Sequence, residues 1–339
     1  MTRSSTRILV TGGTGFIGSH TVIELLAEGH TIEILDNLSN SSPSVIDRIA
    51  EISGVQVPLH VLDIRDRERI GELVSDGDFD AVFHFAGHKA VGESVASPLE
   101  YFSNNVGGTI SLLQAMHDGG VRTMVFSSSA TVYGNPLTVP VSETTPTASP
   151  ANPYGRTKLM IEEILADLFR SDPRWNIGIL RYFNPVGAHP SGLIGEAPTG
   201  TPNNLMPYLT QVAVGILPCL QIFGDDYPTP DGTGIRDFIH VVDLAKGHTA
   251  AYRRMLDNPT FAIWNLGTGK GTSVLELISE FETATGLTIP RQVVGRREGD
   301  VPQVWADVSL ALRELGWKAT LSTTDMCRDA WNWERTRLR

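Results

Sequence analysis

Thr11-Gly12-Gly13-Thr14-Gly15-Phe16-Ile17-Gly18 follows the short apolar run Arg7–Thr11 and opens an amphipathic stretch, Phe16–Glu28. Its glycines are spaced G-x-x-G-x-x-G, a variant of the dinucleotide fingerprint. Glycine permits the tight turn and lets a pyrophosphate approach backbone amides at a helix N-terminus. The second apolar run ends at Asp36, 21 residues beyond Gly15, where a carboxylate can accept hydrogen bonds from an adenosine ribose. That carboxylate repels a 2′-phosphate, so NAD is expected in preference to NADP. The plainer reading is a Gly-rich strand–helix turn with a solvated aspartate. Strand, turn, helix and acid in this order favour the nucleotide.

Outward from this turn, short apolar runs alternate with stretches at helical spacing. Strands are expected at Arg7–Thr11, Thr31–Asp36, Val57–Asp63, Ala81–Ala86, Thr123–Ser128 and Ile177–Tyr182. Helices are expected at Phe16–Glu28, Pro43–Ile52, Asp66–Ser75, Leu99–His117 and Tyr154–Arg170. Such alternation makes an α/β fold, a Rossmann-type doubly wound parallel sheet with helices on both faces. Ligands bind such a sheet outside the carboxyl ends of its strands. After Asn184 the texture changes, and turn signals crowd in at Tyr227-Pro-Thr-Pro-Asp-Gly232. The expected division is an NAD-binding domain over 1–183 and a smaller mixed α/β substrate lobe over 184–339. A segment near 238–265 is expected to cross back to the first domain. Pro136–Pro153 reads as one long loop, and such loops within a domain are usually functional.

The 339 residues carry 27 Lys plus Arg and 38 Asp plus Glu, a formal net charge of −11. That balance argues against nucleic acid or an anionic membrane as partner, so any anionic substrate must be held by a few local arginines. At 41% hydrophobic and 19% charged, the chain has the composition of an ordinary globular protein. Cys219 and Cys327 sit in neither metal nor redox spacing and read as buried small hydrophobes in a reducing compartment. Ile8-Leu9-Val10 is too short for a signal-peptide core, and Val212–Phe223 is broken by Gly215, Pro218 and Gln221. A cytoplasmic location is expected.

Tyr154-Gly-Arg-Thr-Lys158 follows Asn152-Pro153, which reads as a helix cap and first helical position. Four-residue separation puts the phenol and the ammonium on one helix face. A free tyrosine ionises near pH 10, too high for a base near neutrality. One cation about 6 Å away, at an effective dielectric of about 20, favours the phenolate by about 3 kcal/mol, roughly two pH units. The charge of an oxidised nicotinamide can supply the rest, leaving a phenolate able to take a proton while hydride leaves the same carbon. A helix-surface Tyr and Lys is the ordinary alternative. Against it stands Phe126-Ser-Ser-Ser129-Ala-Thr-Val-Tyr-Gly134, a strand end delivering hydroxyls to the same sheet edge.

These motifs together resemble the extended short-chain dehydrogenase/reductase superfamily, and within it the UDP-glucose 4-epimerase family. The narrower resemblance rests on His84–Ser94, Ser127–Gly134, Leu180–Pro190, Asn203–Pro207, Asp231–Asp237 and Arg296–Asp300. It implies that Tyr154 is the base, Lys158 its electrostatic partner and Ser129 a substrate contact. Around NAD it implies Gly12, Gly15, Phe16, Ile17, Gly18, Asp36, Asn37, Asn40, Ser41, Asp63, Ile64, Phe85, Ala86, Gly87, Lys89, Asn104, Ser127, Tyr154, Lys158 and Phe183. For the UDP-sugar it implies Lys89, Ser129, Tyr154, Asn184, Asn204, Leu205, Gln221, Phe223, Arg236, Arg297, Asp300 and Val304. It further implies homodimers through a helical bundle, with Leu99–His117 and Tyr154–Arg170 as the candidate helices.

The implied reaction interconverts UDP-galactose and UDP-glucose through a 4-keto sugar that turns over, with NAD staying bound. Val304 stands where some relatives carry a bulky tyrosine crowding the sugar 2-substituent, which predicts acceptance of UDP-GlcNAc and UDP-GalNAc unless neighbouring side chains refill the space. The rival on the same fold is another NAD-dependent nucleotide-sugar epimerase, dehydratase or decarboxylase. A dehydratase needs an acid–base pair after the strand-end hydroxyl, whereas Ala130 and Thr131 follow Ser129 here. A non-catalytic NAD sensor is the rival from another class, although it need keep only the glycines. Three patterns are decoys. Gly267–Ser273 mimics a phosphate loop but reads as a turn before a helix, with Ser273 and Glu276 as a capping box. His84-x-x-x-His88 has zinc-like spacing without a third ligand, so no metal is expected. Trp317, Trp331 and Trp333 read as packing residues.

Overall fold

The computed structural model describes residues 5–147, 150–198, 202, 204–257, 259–297 and 300–338. Ala148 and Ser149 of the long loop, Asn203, and Glu298 and Gly299 of Arg296–Asp300 lie outside the described residues. The chain divides into two compact units. Unit 1 comprises residues 1–134, 147–181 and 245–264, and unit 2 comprises 135–146, 182–244 and 265–339.

Unit 1 is built on parallel strands β1 (Arg7–Thr11), β2 (Thr31–Asp36), β3 (Leu59–Val61), β4 (Ala81–His84), β5 (Thr123–Ser129) and β6 (Asn176–Tyr182), with a seventh strand, Phe261–Leu266. Their order across the sheet is Phe261–Leu266, β6, β5, β4, β1, β2, β3. The strands read as unbroken apolar runs because helices cover both faces of a parallel sheet. Ile8, Leu9 and Val10 are fully buried, as are Ala81, Val82 and Phe83 on the neighbouring β4. β1 pairs with β2 on one side and β4 on the other, Val10 facing Ile34 and Phe83. The winding direction reverses at β1, and the crevice beyond such a switch point is where nucleotides bind this architecture.

The connecting helices are α1 (Phe16–Ala27), α2 (Ser44–Ser53), α3 (Arg67–Asp76), α4 (Val91–Ala96), α5 (Pro98–Tyr101), α6 (Gly108–Asp118) and α7 (Pro153–Ser171). Three elements differ from the sequence-based expectation. β3 is shorter than Val57–Asp63, because Asp63 turns the chain by accepting the Arg65 N–H at 2.9 Å. The helix expected over Leu99–His117 is interrupted by a π-helical segment, Phe102–Gly107. This wider turn buries Asn104 and Asn105 together. The Asn105 amide is satisfied by donating to His88 O at 3.0 Å and Thr157 Oγ1 at 3.1 Å, and by accepting from His88 N at 2.8 Å. The loop segment 135–146, expected in the first domain, belongs to unit 2, where Val141 N–H donates to Trp305 O at 2.9 Å and Val141 O accepts from Asp307 N at 2.7 Å.

Unit 2 has its own core, in which Leu209, Leu277, Ile278, Phe281 and Cys327 are buried together. Cys327 is buried as expected, and burial pushes its thiol up to about 12, whereas Cys219 is only half-buried. The tryptophans pack structurally: Trp317 Nε1 donates to Asp243 O and Trp333 Nε1 to Glu196 O, each at 3.1 Å, and Trp331 meets Phe281 edge-on. Among the described residues, no helix is long and apolar enough to cross a membrane.

The fold rests on the glycine turn after β1, where a Cβ on Gly18 would lie 2.3 Å from Gly12 O. Gly18→Ala is therefore expected to lower unfolding free energy by about 1–3 kcal/mol in denaturant titrations. Gly71→Ala, in α3 with open space around it, is expected to be stabilising by about 0.5–1 kcal/mol. Equal behaviour of the two variants would contradict close packing at the turn.

Candidate active site

Gly15 caps α1 with extended backbone and no side-chain hydrogen bond, and no acidic residue stands in the first turn. The first-turn N–H groups thus face outward without a protein cap, as an anion requires. Gly12 has φ +72°, and a Cβ there would lie 2.6 Å from Ala86 N. Backbone from β1 and from the loop after β4 approaches too closely for a side chain. Asp36 ends β2 and accepts from Thr14 N at 3.2 Å, Leu38 N at 2.9 Å and Ser41 Oγ at 3.2 Å. Ser41 also meets Thr14 Oγ1 at 2.7 Å, so the acid pins the glycine turn. Asn37 donates to Asp63 at 3.4 Å, while Arg65 holds the Asp63 carboxyl down to about 2.

Ile64 packs against Gly108, Gly87 lies against the Asn105 amide, and Asn104 donates to Asn105 Oδ1 at 2.9 Å. Phe85 packs on His248 with ring centroids 5.0 Å apart. Lys89 and Asn40 are exposed on neighbouring loops, and Ser127 is buried at the end of β5. The residues expected around NAD thus gather at the carboxyl ends of β1, β2, β4 and β5. The exception is Phe183, which stands in unit 2 with its N–H on Leu266 O at 3.3 Å.

Asn152 caps α7 by accepting Gly155 N–H at 2.9 Å, and Pro153 takes the first helical position. Tyr154 and Lys158 share one face of α7, the ammonium lying 6.0 Å from the phenol ring centroid. Lys158 Nζ donates to Ser127 O at 2.6 Å and lies 4.9 Å over the Phe126 ring. Burial lowers the ammonium to about 8, opposed by the Glu162 carboxylate. Tyr154 hydrogen-bonds to the Ser129 side chain, yet burial outweighs that bond and raises the phenol above its ordinary value. Among the chain's own groups the balance therefore lies against the phenolate, and a second cation must tip it. The glycine turn, the uncapped α1 and the acid at Asp36 fit a dinucleotide whose oxidised ring carries that charge.

Unit 2 assembles a cationic cluster. The Arg297 guanidinium stacks over Phe223 at 4.3 Å, and Arg236 lies 3.9 Å from Asp300. Val304 pairs in register with Arg236. Gln221 shares the strand Leu220–Phe223 with Phe223. Asn204 caps the helix Leu205–Ala213 without a side-chain capping bond and instead donates to Glu196 at 2.8 Å. Asn184 opens the short strand Asn184–Val186, its N–H on Asp237 O at 2.9 Å. Tyr227 escaped sequence reasoning. It lies beneath Arg296 at 4.3 Å, and its buried hydroxyl has no partner among the described residues. Only the neighbouring Tyr227-Pro turn signal pointed to it.

Both decoys have local explanations. Asp237 accepts from Thr268 N at 2.8 Å, Gly269 N at 3.0 Å and Ala306 N at 3.1 Å, so a carboxylate occupies the would-be phosphate loop. Ser273 and Glu276 form the expected capping box. His84 is fully buried, its Nδ1 2.7 Å from Thr11 Oγ1 and its Nε2 2.9 Å from Thr109 Oγ1. Thr109 donates to Asn105 O at 2.6 Å, so it accepts from Nε2–H and Thr11 donates to Nδ1. No cluster of potential metal ligands occurs among the described residues.

Residues 8–267 match the NAD dependent epimerase/dehydratase family. The UDP-glucose 4-epimerase of Dictyostelium discoideum is 57% identical over 329 residues, 97% of this chain and 95% of that one. A Stenotrophomonas maltophila UDP-glucose-4-epimerase solved with bound NAD and formylated UDP-arabinopyranose superposes with TM-score 0.96 at 55% identity, covering 98% of this chain and 99% of that one. A Bifidobacterium longum UDP-glucose 4-epimerase in complex with NAD+ and UDP gives TM-score 0.96 at 51% identity, with 98% and 99% covered.

Burial pushes His84 down to about 3, with Lys158 adding to the effect. Its ordinary value is about 6.5, so as pH falls below that the unfolded chain takes up a proton that the folded chain refuses. Stability is expected to decline from about pH 6.5 toward 3, with this residue contributing up to about 1.4 kcal/mol per pH unit. Denaturant unfolding at a series of pH values should show a shallower acid slope in His84→Asn. An unchanged slope would mean that His84 is not held neutral.

Proposed function

The chain belongs to the NAD dependent epimerase/dehydratase family and, within it, to the UDP-glucose 4-epimerases, and on that premise we propose how its residues interconvert UDP-galactose and UDP-glucose. The observation that carries the reading is the single face of α7 presenting Tyr154 to Ser129 and Lys158 to Ser127. When bound, NAD supplies a hydride acceptor and the pyridinium charge. Tyr154 removes the 4-OH proton as hydride leaves C4, and Ser129 bridges that hydroxyl to the phenolate. Lys158 stabilises the phenolate through its charge. Tyr154 then returns the proton to O4 as hydride re-enters C4 on the opposite face of the turned 4-keto sugar. No net oxidation occurs, so the cofactor need not exchange.

The Gly12, Gly15 and Gly18 turn, with Phe16 and Ile17, cradles the pyrophosphate. Asp36, Asn37, Asn40, Ser41, Asp63 and Ile64 surround the adenosine. Phe85, Ala86, Gly87, Lys89, Asn104, Ser127 and Phe183 complete the NAD site. In unit 2, Arg236 and Arg297 neutralise the UDP diphosphate, and Asp300 accepts from its ribose hydroxyls. Asn184, Asn204, Leu205, Gln221 and Phe223 hold the nucleotide, which must be gripped firmly while the sugar turns. Val304, in register with Arg236, is small enough to admit N-acetylated UDP-hexosamines. The protein acts as a homodimer. Supporting this is an apolar face on α4 to α7, where Val95, Leu99, Ile110 and Met160 are exposed, Leu99 by 82%. Two unpaired cysteines support a cytoplasmic location.

Purified protein incubated with UDP-galactose and no added NAD is expected to yield UDP-glucose; absence of product would overturn the assignment. Tyr154→Phe is expected to lower kcat by about 10²–10⁴-fold with little change in KM. Val304→Tyr is expected to reduce kcat/KM for UDP-GlcNAc by about tenfold or more, and to leave UDP-glucose nearly unaffected. Equal UDP-GlcNAc values in wild type and variant would remove Val304 as the determinant.

A further inference from the structure

Three consecutive serines on β5 meet three residues spaced four apart on α7. Ser127 O accepts from Lys158, Ser128 Oγ donates to Glu162, and Ser129 bonds Tyr154. Positions 154, 158 and 162 form one stripe of the helix. The third member has no place in the reaction as described. Its carboxylate is buried and gripped at both oxygens by Arg181, Nε to Oε1 at 3.0 Å and Nη2 to Oε2 at 2.6 Å. Arg181 also donates to Tyr133 OH at 3.0 Å, and its guanidinium lies 4.9 Å over that ring. Such a buried pair adds little stability over apolar side chains of equal volume, so its use lies in its effect on a neighbour.

That neighbour is Lys158. Facing it are Tyr154 and Glu162 on α7, neutral His84 on β4, and Phe126 on β5, with Arg181 of β6 and Tyr133 behind Glu162. Of the charged groups acting on the ammonium, Glu162 favours it. We propose that Glu162, held by Arg181 and Ser128, is a positioning residue for Lys158: its carboxylate keeps the ammonium charged and aligned with Tyr154. The proposal rests on the roles assigned above to Tyr154 and Lys158.

Lys158 must be protonated to act, and burial brings it to about 8. Activity therefore falls as pH rises through that region. Removing the carboxylate withdraws the favourable charge and leaves the Arg181 cation uncompensated, so the ammonium is lost at lower pH. Removing Arg181 leaves the Glu162 charge unscreened and has the opposite sign.

The test is the pH dependence of kcat for UDP-galactose in wild type, Glu162→Gln, Arg181→Met and the double variant, with folding followed by circular dichroism. The alkaline limb is expected to move down by about one pH unit in Glu162→Gln and up in Arg181→Met. A merely structural pair would lower activity in both without displacing the limbs in opposite directions. Removing one partner of a buried pair can unfold a protein, and in that event the double variant decides, because no buried charge is left unpaired. Its limb is expected below the wild-type position, since Glu162 lies closer to Lys158 than Arg181 does along this stripe. Limbs coinciding with wild type in the folded variants would overturn the proposal. Failure of wild type to convert UDP-galactose would instead overturn the underlying reading of the site.

Discussion

A buried ammonium one helical turn from a phenol is the interaction on which unit 1 depends. Each group alone is unfavourably placed. Burial drives Lys158 toward its neutral form and Tyr154 toward its neutral form, which are opposite demands on two neighbours. Charge on one favours charge on the other, so the pair is stable as ammonium and phenolate only when electrostatics outweigh desolvation. The Ser127 carbonyl and the Glu162 carboxylate supply part of that balance.

The sheet makes this arrangement rigid. β5 delivers successive serines at strand spacing, and α7 receives them at helical spacing, so three contacts fix both register and rotation. The cap at Asn152 and the Pro153 start hold the first turn of α7 where Tyr154 must stand. Next to it, Asn105 ties the π-helical turn to Thr157 and to the His88 backbone. The glycine turn after β1 approaches the Ala86 backbone closely enough to exclude any Cβ. Cofactor cradle and catalytic helix are therefore built on the same strands.

How much of this could be read from the sequence follows the range of the interactions. The Tyr154–Lys158 stripe was legible because helical period is local. The glycine turn was legible because only glycine tolerates the φ of Gly12 and the approach at Gly18. Asp36 followed from the strand-end position of an acid. The Glu162–Arg181 pair was not legible, since it depends on β6 lying beside β5 in the sheet. Nor was the π-helical segment, because one added residue leaves the apolar pattern of Leu99–His117 intact. The assignment of 135–146 to unit 2 rests on Val141 pairing with a partner far along the chain. The substrate-lobe residues were legible only through resemblance. Arg236, Arg297 and Asp300 come from separate loops and short strands with no shared period.

The central claim is that Tyr154 ionises within reach of neutral pH once its second cation is present. The most direct measurement is an ultraviolet difference titration of the NAD-loaded protein, wild type minus Tyr154→Phe. The phenol is expected to titrate at least about two units below the ordinary value of about 10, and to rise again in Lys158→Met. Titration at or above about 10 in the loaded wild type would contradict the claim.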